Sequence, residues 1–457
     1  MSQPSRPKAL GLWLATALVV GNMIGSGVFL LPSSLAQFGG ISLLGWLFTA
    51  AGAVLLAIVF ARLGRTYPRT GGPYEYSRRA FGDFIGFQTA WGYWIAVWAG
   101  NAAIAVAFAG YLGVFFPAIS DEPWLAAVTA LGAIWVLTWV NAVGVRQSGI
   151  VQGITTVLKV LPLIVMATIG LAFVNMDHFT PFNQSEGSAF GAITAVAALT
   201  LWAFLGLESA TIPAEDVENP TRNIPRATIW GTIGTAAIYI LSTIAVLGII
   251  PAATLAESTA PFADAAEVAF GGLAGNLVAL GAVISTFGAL NGWILIQGQI
   301  PMAAARDHLF PAAFGKLGRG GTPVFGLVIS SVLVTILMAT NYTRGLVDLF
   351  TYTLLLATLT TLIPYAYSAA AQVMLFVKDR HRFDGKKLTG DVIIAALAFA
   401  YSVWAVFGAG QEVAFYGLLL LLAGIPVFVW MKWTRAHAPT RVRVPESVAE
   451  LMDTMRQ

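Results

Sequence analysis

A glycine-rich segment, Gly25-Ser26-Gly27, interrupts the first long apolar stretch of the chain about halfway along it. Glycines allow a helix to unwind, which leaves backbone N–H and C=O groups without their helical partners. In hydrocarbon each such group is costly, so a break at this depth has to face protein, water or a ligand. The segment favours a polar-ligand site at mid-membrane depth, with close helix packing as the alternative.

Two ionisable residues lie inside other apolar stretches. Glu208 follows Phe204-Leu205-Gly206-Leu207, which predicts a second break, in the sixth stretch. It is interpreted either as a group that pairs with a cation or as a structural acceptor for loop N–H groups. Lys159 lies about nine residues into the fifth stretch, ~13 Å from its inner end. It therefore either snorkels to the interface or points into the bundle as a fixed or protonatable cation.

Aromatic and polar side chains recur at helical spacing in three further stretches. Tyr93, Val97 and Asn101 follow one another at i, i+4 and i+8, where Asn101 either contacts a ligand or joins helices. Trp293 lies mid-helix, too deep for an interfacial belt, and its ring suits packing or a cation. The tenth stretch has a small, hydroxylated face formed by Ala357, Thr358, Thr361 and Tyr365. Together these residues predict a compact central cavity with aromatic walls.

The elements that position these residues are membrane spans. Of the 457 residues, 57% are hydrophobic and 10% are charged, which is typical of a polytopic membrane protein. With about 20 apolar residues per span, the sequence predicts twelve transmembrane helices. Their expected bounds are 10–36, 41–64, 83–115, 123–143, 150–174, 190–213, 226–250, 272–302, 323–340, 346–377, 390–408 and 411–432.

Basic residues predict the orientation of these helices. If the N-terminus is cytoplasmic, Arg344 is the only one of the 25 Lys and Arg residues outside, and Lys159 the only one within a span. The outer loops carry acidic residues instead, as the positive-inside rule requires. We therefore expect a multi-pass protein of the plasma (bacterial inner) membrane with both termini in the cytoplasm. A single transmembrane domain is expected over 10–432, between a cytoplasmic N-terminus (1–9) and tail (433–457).

Several function classes are disfavoured by what the sequence lacks. It has no cysteine, four scattered histidines and no G-x-x-x-x-G-K-[ST] phosphate loop, so metal centres, thiol chemistry and an ATP-driven pump are not expected. Paired carboxylates at membrane depth are also missing, which argues against an embedded enzyme, and no signalling domain suggests a sensor. We expect no cofactor, no metal and no nucleic-acid partner.

Three segments together resemble the amino acid–polyamine–organocation superfamily of permeases: the Gly-Ser-Gly break, Leu207-Glu208-Ser209-Ala210, and Glu215-Asp216-Val217-Glu218-Asn219-Pro220. Within it, the chain is similar to bacterial antiporters that exchange arginine for agmatine. The resemblance implies an all-α fold with a five-plus-five inverted repeat, broken helices 1 and 6, two peripheral helices and often a homodimer. The repeats would cover about 10–174 and 190–377, and helices 11 and 12 about 390–432.

The resemblance also implies roles at the break and the side-chain pocket. The amides of Ser26 and Gly27 would bind a substrate α-carboxylate, and carbonyls around Met23 and Trp202 its α-amino group. Trp202 would also close over the substrate. Trp293 would stack beneath a guanidinium. The remaining pocket contacts would come from Asn101, the carbonyls of Ala96 and Val97, and the side-chain positions Leu205 and Ala357.

Gating and coupling roles follow from the same resemblance. Tyr93 and Tyr365 match outer-gate residues, Glu208 an acid tied to pH-dependent exchange, and Tyr74 a loop tyrosine tied to pH sensing. Lys159 departs from the antiporters and resembles a lysine that replaces a sodium ion in other members. The first hypothesis is thus sodium-independent exchange of arginine, or a related cationic amino acid, for its amine. The alternative is a proton-coupled permease for neutral or broad-range amino acids, with Lys159 as the coupling group.

Overall fold

The computed structural model describes residues 10–436, with gaps at 26, 70, 144–148, 319 and 383–387, and without the side chains of 149–158, 382 and 436. The expectations for Ser26, for the segment 1–9 and for most of the tail lie outside the described residues. Within them, the chain forms helices and turns, and an isolated bridge joins Leu10 to Val217. The all-α class is confirmed.

Nine described helices are long and apolar enough to cross a membrane, and three shorter apolar helices stand where the remaining predicted spans were expected. In chain order, spans 1 to 12 are Leu12–Ala36, Gly39–Thr66, Asp83–Gly113, Pro123–Val143, Lys159–Phe173, Ala189–Phe204, Pro220–Ile249, Gly272–Arg306, Val324–Ala339, Leu346–Lys378, Leu388–Ala409 and Gln411–Arg435. The twelve-helix interpretation therefore agrees with the described chain. Span 3 is 89% buried in its most apolar part, whereas spans 11 and 12 are 33% and 22% buried, so span 3 is central and the last two are peripheral.

Short helices connect the spans outside the apolar segments. The amphipathic helix Pro73–Phe81 lies between spans 2 and 3, and it packs against spans 3 and 10. On the opposite face, Ala252–Glu257 and Pro261–Phe270 follow span 7. The four-residue helix Ala118–Asp121 precedes span 4. These connectors close the two ends of the bundle around the central spans.

The first span is broken where the sequence predicts. One helix runs from Leu12 to Met23 and a second from Gly27 to Ala36, with bends at Ile24 and Gly25 between them. The second helix contains Pro32, which removes one backbone donor but leaves the helix intact.

The sixth span is also broken, and earlier than expected. Its α-helix, Ala189–Leu201, gives way to a 3-10 turn at Trp202–Phe204 and then to turns and short 3-10 segments. The expected helical bound at residue 213 is therefore wrong. The physical reason is Gly206, whose φ of +104° cannot continue a right-handed helix. A Cβ at Gly206 would also lie 3.1 Å from the carbonyl carbon of Asn22. The lack of a side chain at Gly206 therefore allows the broken part of span 6 to pack against the end of the first helix of span 1.

Candidate substrate site

The two breaks border a pair of connected cavities at mid-span depth. One is lined by Tyr93, Ala96, Val97, Gly100, Ile104, Trp202, Leu205, Trp293 and Thr361. The other is lined by Asn22, Met23, Gly25, Gly27, Ile104, Trp202, Leu205 and Trp293. The four residues common to both make this one continuous pocket. It runs from the break in span 1 to the middle of span 3.

Backbone groups form the end of the pocket at the break. Gly27 is the first residue of its helix, and the first N–H groups of a helix have no intrahelical acceptor. They carry the positive end of the helix dipole, so an anionic group suits this end. The carbonyl of Met23 accepts only the Gly25 N–H, at 2.9 Å, among the bonds of the described residues, and retains a second lone pair.

Trp202 covers the pocket between span 1 and span 3. A Cβ placed on Gly27 would lie 2.5 Å from its Cδ1, and one placed on Gly100 would lie 2.4 Å from its Cη2. The indole therefore bridges two glycines that have to lack side chains for it to lie there. We infer from this position that Trp202 is a lid over the pocket, and Gly100 is a contact of this lid that the sequence interpretation missed.

Three hydrogen-bonded side chains lie next to the pocket, and one of them, Tyr93, lines it. The fully buried Glu208 accepts hydrogen bonds from the Tyr93 hydroxyl and the Tyr365 hydroxyl, both at 2.6 Å. Its Oε2 also accepts the Gly206 N–H at 3.2 Å. The carboxylate thus joins spans 3, 6 and 10 beside the pocket, and we call Tyr93, Glu208 and Tyr365 the tyrosine–glutamate layer.

The position of this layer corrects one expectation. Tyr93 lies seven residues before the lid contact Gly100, about 10 Å nearer the end at which span 3 begins. That end is on the same face as the start of span 1, because alternate spans run parallel. Tyr93 and Tyr365 consequently cannot form an outer gate if the termini are cytoplasmic. In the predicted orientation they belong to the inner side, and Trp202 covers the outer side.

We predict that the tyrosine–glutamate layer keeps the pocket closed from the inner side. In this cysteine-free chain, Val97→Cys places one thiol on the pocket wall. Adding Tyr365→Phe should speed its labelling by a maleimide applied from the inner side about tenfold, because a bond to a carboxylate contributes about 1.5–3 kcal/mol. Tyr367→Phe is the control, since that ring packs on Phe81 at 6.3 Å, outside the layer. Equal labelling rates in the two variants would contradict the prediction.

The structure brings most of the expected side-chain pocket together. Trp293 of span 8 lies on the wall that both cavities share, and Ala96, Val97 and Leu205 lie around it. Thr361, from the hydroxylated face of span 10, also lines the pocket. The wall is therefore mainly apolar, with two indole rings as its largest surfaces.

Two expected pocket residues do not line it. Ala357 is fully buried outside the cavity. Asn101 is also fully buried, and its Nδ2 donates to Gln297 Oε1 at 2.7 Å. The physical reason is helical drift: at about 100° per residue, Asn101 lies about 80° around span 3 from Tyr93. Gly100 and Ile104 occupy the pocket face in its place.

Lys159 points into the bundle. Its side chain is 2% exposed, so of the two interpretations left by the sequence, snorkelling to the interface is the wrong one. Its Cε lies 3.8 Å from the position of a Cβ on Gly288 of span 8. The helix Gly149–Thr168 also contacts the first helix of span 1. The Lys159 side chain is thus buried where span 5 packs against span 8, on a helix that also contacts span 1.

Tyr74 lies far from the pocket, on the amphipathic connector. Its hydroxyl donates to Asp307 Oδ2 at 2.8 Å, and Arg78 Nη1 pairs with the same oxygen at 2.9 Å. Burial and the hydrogen bond to Asp307 raise the pKa of Tyr74 well above its ordinary value. Its phenol therefore stays protonated at physiological pH, and it acts in this cluster as a hydrogen-bond donor. Burial also raises the pKa of the neighbouring Glu75 carboxyl.

A pocket that borders two broken spans defines the chain as a membrane transport protein of the broken-helix class. The chain belongs to the amino acid permease family, whose sequence model matches residues 10–428. This family is part of the amino acid–polyamine–organocation superfamily, as the motifs predicted.

Individual relatives cover nearly the whole chain. It is 34% identical to an arginine/ornithine antiporter of Pseudomonas aeruginosa, over 94% of this chain and 92% of the relative. It is 33% identical to a putrescine transporter of Haemophilus influenzae, over 94% and 98%, and 35% identical to a cadaverine/lysine antiporter of Escherichia coli, over 89% and 91%. A solved manganese transporter of Eremococcus coleocola shares the fold at a TM-score of 0.62 and 12% identity, covering 91% of this chain and 93% of that one.

Proposed function

We propose that the protein is a sodium-independent exchanger that moves a cationic amino acid, arginine or a close relative, against its amine or another cationic amino acid. The observation that carries the proposal is one pocket with a backbone-lined end at Gly27 and an indole wall at Trp293. It is covered by Trp202 on one side and closed by the tyrosine–glutamate layer on the other. Opening these closures one at a time would give alternating access.

The pocket's two ends suit the two ends of such a substrate. An α-carboxylate fits the free N–H groups at Gly27, and an α-amino group fits the carbonyls near Met23 and Trp202. A guanidinium or ammonium at the far end fits the π-face of Trp293. The names of the three relatives reported above include arginine, ornithine, lysine, putrescine and cadaverine. Those compounds share a terminal cation on an aliphatic chain.

Substrate exchange is the property that separates this proposal from its alternative. Purified protein in liposomes preloaded with unlabelled arginine, ornithine, lysine or agmatine should take up labelled arginine. Empty liposomes should not, with or without sodium and with or without a pH gradient. Uptake into empty liposomes driven by a pH gradient would contradict exchange. An absence of binding to every cationic amino acid and amine would refute the substrate class.

A proton-coupled permease is the second candidate because Lys159 is buried inside the bundle, on a helix that contacts span 1. We predict that Lys159→Met separates the two functions. If Lys159 carries the coupled proton, this variant should lose pH-driven uptake and keep exchange between equal pH values. If Lys159 is a fixed charge that stands in for a cation, exchange itself should fall about tenfold or more, since removing a buried charged contact costs more than 1 kcal/mol. Initial rates with and without a pH gradient decide between them.

Orientation and assembly are part of the same proposal. We infer cytoplasmic termini in a bacterial inner membrane, a single transmembrane domain of two repeats, and a homodimer. The basic residues at the ends of spans 8 and 10 support the orientation. The low burial of spans 11 and 12 supports an assembly surface there. Crosslinking in native membranes with a cysteine introduced in span 12 tests the dimer.

A further inference from the structure

A chain of buried side-chain hydrogen bonds crosses spans 3, 8, 9 and 4 beside the pocket. Asn101 Nδ2 donates to Gln297 Oε1 at 2.7 Å. Gln297 Nε2 lies 2.9 Å from Ser331 Oγ, which lies 2.7 Å from Thr138 Oγ1. Each of the four residues comes from a different span, and none is more than 2% exposed. We call these four residues the amide chain.

Two backbone carbonyls fix the direction of every bond in the amide chain. Leu327 O can only accept, so the group of Gln297 that lies 3.2 Å from it is Nε2. Thr138 gives its one hydrogen to Ile134 O at 2.7 Å. Ser331 must therefore donate to Thr138 and accept from Gln297. Gln297 has used both N–H groups, and only its Oε1 is left to face Asn101.

The orientation of the Asn101 amide follows from the position of Gln297 Oε1. Because Gln297 offers it an acceptor, Asn101 has to present Nδ2 to Gln297 and Oδ1 in the other direction. Asn101 Oδ1 is buried and has no hydrogen-bond partner among the described residues. A buried acceptor without a partner is costly in a membrane interior. Its neighbours along span 3, Val97 and Gly100, line the pocket.

We propose that Gln297 is a positioning residue that sets the charge preference of the site. It holds the Asn101 amide with Oδ1 unpartnered among the described residues, about one helical turn from Val97 on span 3. Asn101 itself does not line the pocket in this structure, so Oδ1 serves a substrate whose N–H donors reach past Val97, and the far end of the site favours substrates of that kind. This inference rests on the proposed function, in which the far end of the pocket receives a guanidinium or ammonium. Without Gln297 the amide can turn over and present Nδ2, which suits a neutral, carbonyl-bearing side chain equally well.

The test compares arginine with citrulline, which has the same length but a neutral ureido end. The ratio of the Kd of citrulline to that of arginine is measured on purified protein. In Gln297→Met this ratio should fall about tenfold, because the bond concerned is one to a charged group. Gln297→Glu keeps an acceptor toward Asn101, so its ratio should stay at or above the wild-type value. An unchanged ratio in Gln297→Met, or a fall in Gln297→Glu, overturns the proposal.

Asn291→Leu is the matched control. Asn141 Nδ2 donates to Asn291 Oδ1 at 2.8 Å, which joins the same spans 4 and 8 without contact to Asn101. A merely structural role for Gln297 predicts that both variants lower the Tm and neither changes the ratio. In the Asn101→Ala background, Gln297→Met should change the ratio no further; an additive fall would show that Gln297 does not act through Asn101.

The proposed function and the positioning role of Gln297 can be refuted independently of each other. If the wild type does not bind arginine, ornithine, lysine or their amines, the proposed function is wrong. The same double-mutant comparison is then made with whichever amino acid the wild type binds. Independence of Asn101 and Gln297 in that comparison overturns the positioning role as well. If the wild type binds arginine and Gln297→Met leaves the Kd ratio unchanged, only the positioning role is refuted.

Discussion

Replacing Trp293 by alanine is expected to weaken arginine binding about thirtyfold, because a desolvated cation–π contact contributes about 2 kcal/mol and 1.4 kcal/mol is a factor of ten. Trp293 is the aromatic residue of span 8 on the wall common to both cavities. Its loss removes the π-face from the far end of the pocket and leaves the amides at Gly27 untouched. Affinity for citrulline should consequently change much less than affinity for arginine. Direct binding of both compounds to purified protein measures this.

Two variants separate the ring's electrostatic role from packing. Trp293→Phe keeps an aromatic face and should retain part of the preference for arginine. Trp94→Ala removes a buried indole whose Nε1 donates to Ser330 at 2.8 Å, outside the pocket. It should lower the Tm without changing the preference. If Trp293→Ala binds arginine as tightly as the wild type does, the stacking role is refuted and the cationic end of the substrate lies elsewhere.

Much of the fold could be predicted from hydropathy, because hydrocarbon imposes a length and an internal hydrogen-bonding rule on every span. The break at Gly25 was predictable for the same reason. The end of the sixth helix at Leu201 was not, since it depends on how closely Gly206 approaches Asn22 of another span. That contact is a property of tertiary packing and leaves no periodic pattern in the sequence.

The candidate site, like the fold, could be predicted only in part from the sequence. Residue types and the family resemblance pointed to Trp202, Trp293 and Glu208, because buried indoles and carboxylates need a reason inside a membrane. The side of the pocket on which Tyr93 and Tyr365 lie could be assigned only from how far along spans 3 and 10 these residues are placed relative to the pocket. The roles of Gly100 and Gln297 depend on partners from other spans, which helical spacing within one span does not show.

Replacing Gly100 by alanine is expected to displace the lid, Trp202, from the pocket. In Gly100→Ala the new Cβ would lie 2.4 Å from Trp202 Cη2 and 2.9 Å from Cζ3, closer than a carbon can lie. The indole therefore has to move off the pocket, at a cost of about 1–3 kcal/mol for overpacking. We expect exchange of arginine to fall about tenfold to a hundredfold, as the closed state becomes less populated. Initial exchange rates in preloaded liposomes measure the effect.

Gly292→Ala supplies the control, because no heavy atom lies within 4 Å of a Cβ at that position on span 8. Both substitutions gain the same helix propensity, about 1 kcal/mol for alanine over glycine, so a loss confined to Gly100→Ala cannot come from the backbone. In a Trp202→Ala background the Gly100→Ala substitution should have little further effect, since the clashing ring is gone. A full loss in that background would mean that Gly100 packs against something other than the lid, and that Trp202 does not close the outer side of the pocket.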